Sequence, residues 1–346
     1  MHLVRRIAIV ALLVLSGVGM AGAGEKTLHL FTWADYFEPE VIALFESENK
    51  CRVVIDYFDS NEAMYAKILA GGEGYDIITP SAYMSGVMAR QELLAPISHD
   101  LLPNLEHLAK EFTAFTEDPE LVYSIPYTLS ITGIGYNRNY VAAEDLGSWA
   151  IFSNAALARR MTMLNDMRET VGAALKYLGY SLNTTNDEEL EQAFTVLAGW
   201  KKNLAKFEVD EAKIGLGAGE FFVVHGYNGD IGLVMEEIPE IGFYIPDEGS
   251  SFVVDDFVVP AKAPDPALAH AFINHMLDPE VAALNMAGIR YYMPNASAEK
   301  LLGEDLLGNP AFNVRPETLA RCEVIRDLGP DNAKYIKVWD LIKSDK

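Results

Sequence analysis

Short apolar runs alternate with amphipathic ones from residue 27 to residue 91, and this alternation constrains the fold more than any other feature of the chain. Residues 27–31 read as a strand. Residues 38–50 read as a helix with Val41, Ile42, Leu44 and Phe45 on one stripe, and 53–57 as a second strand. Ser60 or Asn61 caps a second helix that stops at Gly71 and Gly72. "YDIITPS" (75–81) reads as a third strand and 82–91 as a third helix. This order predicts an α/β fold on an open, mostly parallel sheet with helices on both faces. Ligands of such sheets sit outside the carboxyl ends of the strands. Trp33 and Tyr36 follow the first strand, Ser60 and Asn61 the second, and Ser81 and Tyr83 the third, so one rim collects aromatic and hydroxyl groups. In "LFTWADYFEPEV" (30–41) rings stand at a strand tip rather than in a core. That points to a ligand favouring π faces. Asp35 either joins it or complements the positive start of the next helix.

A second unit follows. "YSIPYTLSITGIGYNRN" (123–139) reads as a segment crossing between the two. "MTMLND" (161–166) is a strand and turn, 167–178 a helix, and 187–206 a longer helix carrying Leu190, Phe194, Leu197, Trp200 and Leu204. "EFFVVHGYNGD" (220–230) and "GFYIPDEG" (242–249) read as strands with turns, and "VDDFVVPAKA" (254–263) as a strand returning to the first unit. Helices are expected over 266–277, 279–286 and 332–343. No repeat or low-complexity linker interrupts the pattern.

With 346 residues the chain predicts two domains. There are 50 Asp and Glu against 27 Lys and Arg, a formal charge of −23. Nucleic acid is not an expected partner, since phosphate binding needs basic surface, whereas a small cation would be attracted. The start of the chain has Arg5 and Arg6, an apolar run over 7–18 and small residues ending Ala21-Gly22-Ala23. This predicts a secretory signal cleaved near Ala23, its core being shorter than the ~20 residues of a membrane span. Loss of 1–23 removes two arginines and no acid, moving the charge from −23 to −25. No cysteine follows the apolar run, so a lipid anchor is not expected, and the expected location is the periplasm. Cys51 and Cys322 are far apart in sequence, and export permits a bridge between them without requiring one.

Catalytic signatures are scarce. The mature chain has no G-x-S-x-G, P-loop or H-E-x-x-H pattern. "GLGAGE" (215–220) follows no clear strand and reads as a loop, and His270 and His275 lie five apart, poorly placed for one metal. No cofactor and no enzyme activity are expected. The acids carry more. Asp166 and Glu169 have the spacing of a capping box, and equally of two carboxyls facing a cleft. Asp255 is either a solvated loop acid or a cleft acid. Tyr227 and Tyr291 fit a core, or an aromatic box with Trp33, Tyr36 and Tyr83 around cationic nitrogens.

In order along the chain, "LFTWADYF", "SNEAMYAK", "YDIITPSAYM", "YSIPYTLSITGIGYN", "NDMRE", "YNG", "PDEGSSFVVDDFVVP" and "YYMPNASA" resemble the periplasmic polyamine-binding proteins of spermidine/putrescine ABC importers. The resemblance spans about 25–343. It implies a two-lobed Venus-flytrap fold of the class II type with a hinge and an interlobe cleft. Lobe 1 would comprise 24–131 with 254–299, and lobe 2 would comprise 132–253 with 300–346. It implies a polyamine in the cleft, held by Trp33, Tyr36, Ser81, Tyr83, Asp255 and Tyr291 of the first lobe and by Asp166, Glu169 and Tyr227 of the second. Delivery to an inner-membrane ABC permease and a monomeric state follow from the same resemblance. Val253 stands where the family has a cleft Trp, Tyr227 where Trp is more usual, Ala34 in place of a hydroxyl residue, and Ile325 where Gln is common. Three other readings stay open: a polyamine-sensing adaptor that docks on a receptor, the same fold binding another organic cation, and, from His225 and the tyrosine-rich rim, an iron complex.

Overall fold

A computed structural model describes residues 26–312 and 316–344. The signal segment expected over 1–23 lies outside them. The strands are β1 Lys26–Thr32, β2 Cys51–Tyr57, β3 Ile77–Ile78, β4 Ser124–Asn137, β5 Met161–Met163, β6 Leu204–Phe207, β7 Val223–Tyr227, β8 Ile241–Tyr244, β9 Ser251–Val258 and β10 Glu323–Val324. The α-helices are α1 Pro39–Asn49, α2 Asn61–Leu69, α3 Ala82–Arg90, α4 Met167–Tyr177, α5 Asp187–Lys201, α6 Asp210–Gly217, α7 Asn228–Glu237, α8 Pro266–Met276, α9 Pro279–Ile289, α10 Glu304–Leu307, α11 Pro316–Leu319 and α12 Asn332–Ser344.

The strand order is β2-β1-β3-β9-β4-β7-β5-β6, with β10 beside β9 and β8 beside β4. β1 pairs parallel with β2 and β3, as the sequence pattern demands. The joint of the molecule is β4. Its residues 124–131 pair antiparallel with β9, and from Thr132 onward it pairs with β7 and β8. One continuous strand therefore belongs to two sheets, and the partner changes between Ile131 and Thr132.

Two main cores lie on either side of that change. Leu28, Phe45, Ile77, Tyr127, Phe257 and Phe272 anchor the first, and Leu306 and Phe312 join them late in the chain. Trp149, Phe152, Met161, Val171, Leu197, Trp200 and Tyr335 anchor the second. Cys51 packs in the first core and Cys322 in a separate group with Phe252 and Val254, without a bridge between the two thiols.

Several expectations need correction. The helix expected over 187–206 ends at Lys201, and Leu204 opens β6, paired parallel with β5. Leu204 kept the helical period, but a free strand edge on β5 outweighed it. "GLGAGE" is no loop throughout, because Gly215–Gly217 form the last turn of α6. A side chain at Gly215 would start 2.4 Å from the Phe221 ring, so this helical glycine serves close packing. "YNGD" is not a turn: α7 begins at Asn228, whose side chain accepts from Ile131 N (2.9 Å) and donates to Ala311 O (2.7 Å). The third strand shrinks to Ile77–Ile78.

His225 is fully buried, its ring edge-on to Trp149 at 4.8 Å, in the second core and not at the rim. An imidazole at this depth lends no support to an iron site. Burial pushes its pKa down to about 3. An unfolded histidine titrates near 6.5, so the folded state binds the fewer protons. The stability is complete above about 6.5 and drains away as pH falls toward 3. Comparing pH 7 with pH 4.5 by chemical denaturation, we expect His225→Phe to lessen the acid-side loss by about 2–3 kcal/mol. Equal losses in wild type and variant would show that another group sets the acid limit.

Candidate functional site

The tips of β1, β2 and β3 converge where β4 passes from one sheet to the other. A cavity there encloses about 740 Å³ of empty space, its mouth included. Trp33, Tyr36, Ser81, Tyr83, Asp166, Tyr227, Asp255 and Tyr291 all line it, as do Ala34, Val253 and Ile325. Of the nine residues expected at the site, Glu169 is the one outside the lining.

Asp255 lies at the floor, buried, directly across from Thr128 in the β4–β9 ladder. Ser81 Oγ donates to its Oδ1 at 2.7 Å, and the Tyr36 hydroxyl donates to its Oδ2 while lying 2.7 Å from Thr128 Oγ1. Ser81 is itself fixed by Asn61, which accepts from its backbone N–H and donates to its hydroxyl, both at 3.0 Å. The ladder explains the placement of Tyr36. β4 slips register between Pro126 and Thr128, leaving Tyr127 as an extra residue. Proline offers no N–H to the ladder, and such bulges re-aim side chains. Tyr127 turns under the β1 tip and donates to the backbone carbonyl of Tyr36. Burial pushes the Asp255 carboxyl up to about 6, against the hydrogen bonds from Tyr36 and Ser81 that favour its charge.

Asp166 caps α4, accepting from Glu169 N at 3.0 Å. The capping half of the sequence expectation is met. Glu169 does not reach back to the cap. Its Oε2 accepts from Thr132 Oγ1 (3.0 Å) and from the Ser251 hydroxyl, at the point where β4 changes sheets. Burial first, then the Asp166 charge, raise its carboxyl to about 8. Burial also raises Asp166. Glu62 rises for the same reason with the Asp166 charge added, while Tyr83 donates to its Oε1 at 3.3 Å.

Sequence reasoning missed two cations in the lining, Arg168 and Lys213, together with the acids Asp59, Asp210 and Asp230. Arg168 stood inside "NDMRE", the signal that could have found it. Its guanidinium donates to Arg326 O and Asn183 Oδ1, each at 2.9 Å, and lies over the Tyr335 ring at 4.8 Å. Lys213 on α6 carried no motif. Asp35 pairs with it at 2.7 Å, a bridge to the opposite wall.

A protein-family model for bacterial extracellular solute-binding proteins matches residues 40–312. The chain belongs to this family. A spermidine/putrescine-binding periplasmic protein of Haemophilus influenzae is 30% identical over 326 residues, covering 94% of this chain and 91% of its own. A putrescine/cadaverine-binding protein of Pseudomonas aeruginosa is 30% identical over 354 residues and 99% of both chains. Among solved structures, the TpPotD lipoprotein of Treponema pallidum has 34% identity and a TM-score of 0.83, over 92% of this chain and 99% of that one. The spermidine/putrescine substrate-binding protein PotD of Streptococcus pneumoniae has 31% identity and a TM-score of 0.79 with the same coverage. The two-lobed α/β fold expected from the sequence is the fold of these solute-binding proteins.

In this solute-binding chain the walls meet directly. Tyr291, which follows α9, lies so close to Gly229 on α7 that a Cβ there would stand 2.4 Å from its ring. Gly229→Ala is expected to cost about 1–3 kcal/mol through overpacking, despite the better helix propensity of alanine. Denaturant midpoints measured for both singles and the double variant check this. In a Tyr291→Ala background the penalty should vanish, and its persistence would place the strain elsewhere.

Proposed function

We propose that this protein captures an aliphatic polyamine of the putrescine or spermidine type in the cleft and hands it to an inner-membrane ABC permease. The observation that carries this reading is Asp255. It is a buried carboxyl with hydroxyl donors on both oxygens, in a cavity also lined by Trp33, Tyr36, Tyr83, Tyr227 and Tyr291. A carboxylate taken out of water calls for a cation, and the ring faces suit ammonium groups and the methylenes between them. The relatives named for spermidine, putrescine and cadaverine support the same ligand class. In this reading Asp255 takes one ammonium group and Asp166 another. Glu169 acts from behind, through the hydroxyls of Thr132 and Ser251.

Binding closes the lobes about the strands that cross between them. The lobes divide at the β4 crossing: 24–131 with 254–299 form the first, and 132–253 with 300–346 the second, the stretch around Leu306 packing across to the first. The protein acts as a periplasmic monomer after loss of 1–23, takes no nucleic acid, and performs no chemistry on its ligand.

Calorimetric titration with putrescine, cadaverine and spermidine tests the ligand class. Asp255→Asn and Asp166→Asn should each weaken binding by about 100-fold, since a charge-assisted bond is worth about 1.5–3 kcal/mol and an ion pair more. Glu169→Gln should cost less. Unaltered affinity in both aspartate variants, with melting curves intact, would overturn the site.

Affinity should also depend on pH. An ammonium ion binds the charged form of Asp255, whose carboxyl titrates at about 6 in the empty cleft. Below that value the ligand displaces a proton, so affinity falls about tenfold per pH unit for one linked proton. Titrations at pH 7.5 and 5 should differ by about that factor, with proton release visible in buffers of different ionisation enthalpy. A flat profile between them would mean that Asp255 is not the ammonium partner.

A further inference from the structure

The cleft carboxyls fall into groups that differ in what offsets them. Asp255 has hydroxyl donors only. Asp166 and Glu62 feel the Arg168 guanidinium, which is held by its own partners and does not cross to them. The third group is the set Asp35, Asp59, Asp210 and Asp230, and here the chain supplies an ammonium group of its own. Lys213 Nζ lies 2.7 Å from Asp35 Oδ2 and 2.9 Å from Asp230 Oδ1, and the Lys213 side chain is only 17% exposed. Asp210 interacts with Asp59, Asp230 and Lys213 alike, so the group is one electrostatic unit. It adjoins the ring wall: Tyr291 feels the charges of both Asp230 and Asp35, and Asp35 sits between Ala34 and Tyr36 at the β1 tip.

A lysine side chain is a primary ammonium on a four-carbon stem, chemically the end of a polyamine. We infer that Lys213 occupies one ammonium position of the cleft as a tethered cation, so that the site takes an aliphatic diamine and rejects triamines and tetramines. The inference rests on the polyamine reading above and narrows it. Lys213 pairs with Asp35 and Asp230 of its group, so the carboxyls that remain for a ligand are those around Asp255, those around Asp166, and Asp59 and Asp210 beside the lysine. A further amino group reaching past Tyr291 would meet the Lys213 charge, and like-charge juxtaposition is an effective way of excluding the wrong partner. Val253 offers no ring in the lining, which leaves this discrimination to charge more than to a wall.

Calorimetric titrations of putrescine, cadaverine, spermidine and spermine into wild type, Lys213→Met and Lys213→Arg test it. Methionine keeps most of the stem and removes the charge, while arginine keeps the charge. Wild type should bind a diamine at least tenfold more tightly than spermidine. Lys213→Met should move that ratio at least tenfold toward spermidine, and Lys213→Arg should leave it in place. Lys213→Gln replaces the methionine variant if its melting curve shows misfolding. A ratio unmoved by charge removal, or a wild type that prefers spermidine, overturns the tethered-cation role and leaves the polyamine reading standing. A wild type that binds no polyamine overturns both.

Discussion

Burying carboxyl groups is costly, and the cleft is organised around that cost. The protein meets it in different ways within one cavity. Around Asp255 it supplies hydroxyls and no cation among the described residues. Beside Asp166 it supplies a guanidinium held at one remove, and at Asp35 and Asp230 it supplies an ammonium ion outright. Burial holds Asp255 up at about 6 and Glu169 at about 8, both above the unfolded carboxyl range. Groups raised in this way add stability that is complete below about pH 4 and fades as pH climbs through those values. Ionising Asp255 at neutral pH thus costs stability, and a cation placed against it would offset that cost. Selection for a cation and stabilisation by a cation are the same interaction seen from two sides.

That cost is tolerable because β4 holds the geometry. One strand serves both sheets, so the floor of the cleft is ladder backbone rather than loop. The bulge at Tyr127 turns that side chain under the β1 tip and fixes Tyr36. Five residues on, Thr132 gathers Ser250, Ser251 and Glu169 around the change of partner. Asn228 ties the start of α7 to Ile131 at the same point. These contacts tie the two sheets together at the change of partner. Glu169, placed among them and not in the lining, is better suited to set the lobe angle than to touch a ligand.

Much of this was legible because strand and helix periods differ, and because the βαβαβα order forces tips onto one edge. Trp33, Tyr36, Ser81 and Tyr83 could be placed on a rim from connectivity alone. Asp166 announced itself as a cap by position. What stayed hidden depended on neighbours far away in sequence. Whether Glu169 faces its own cap or a hydroxyl at residue 132 is decided by where β4 runs, which spacing on one helix does not encode. Leu204 fitted a helical stripe until β5 offered it an edge. Lys213 lay in "DEAKIG", an ordinary charged helix start, and its role arises only when α6 is laid beside Asp35, 178 residues away. Gly229 has the same character, since its lack of a side chain means nothing until the Tyr291 ring lies against it.

Val253 and Ile325, where the sequence departs from the pattern that the resemblance implies, are not bare gaps in the box. Both pack in one apolar group with Phe31, Phe58, Met64 and Tyr83, against which the Trp33 ring is also laid. Trp33 meets Phe58 edge-on at 4.4 Å. The wall at Val253 is therefore apolar and continuous with the first lobe, and the charged groups lie elsewhere in the lining. Methylene groups need only an apolar, water-free surface, and dispersion contact with Val and Ile supplies one nearly as well as a ring does. Ammonium groups need partners at fixed points. A cleft built this way measures its ligand by the spacing between charges, with the stretch between them read only for being aliphatic. The protein's own ammonium at Lys213 is then as much a part of that ruler as the acids are.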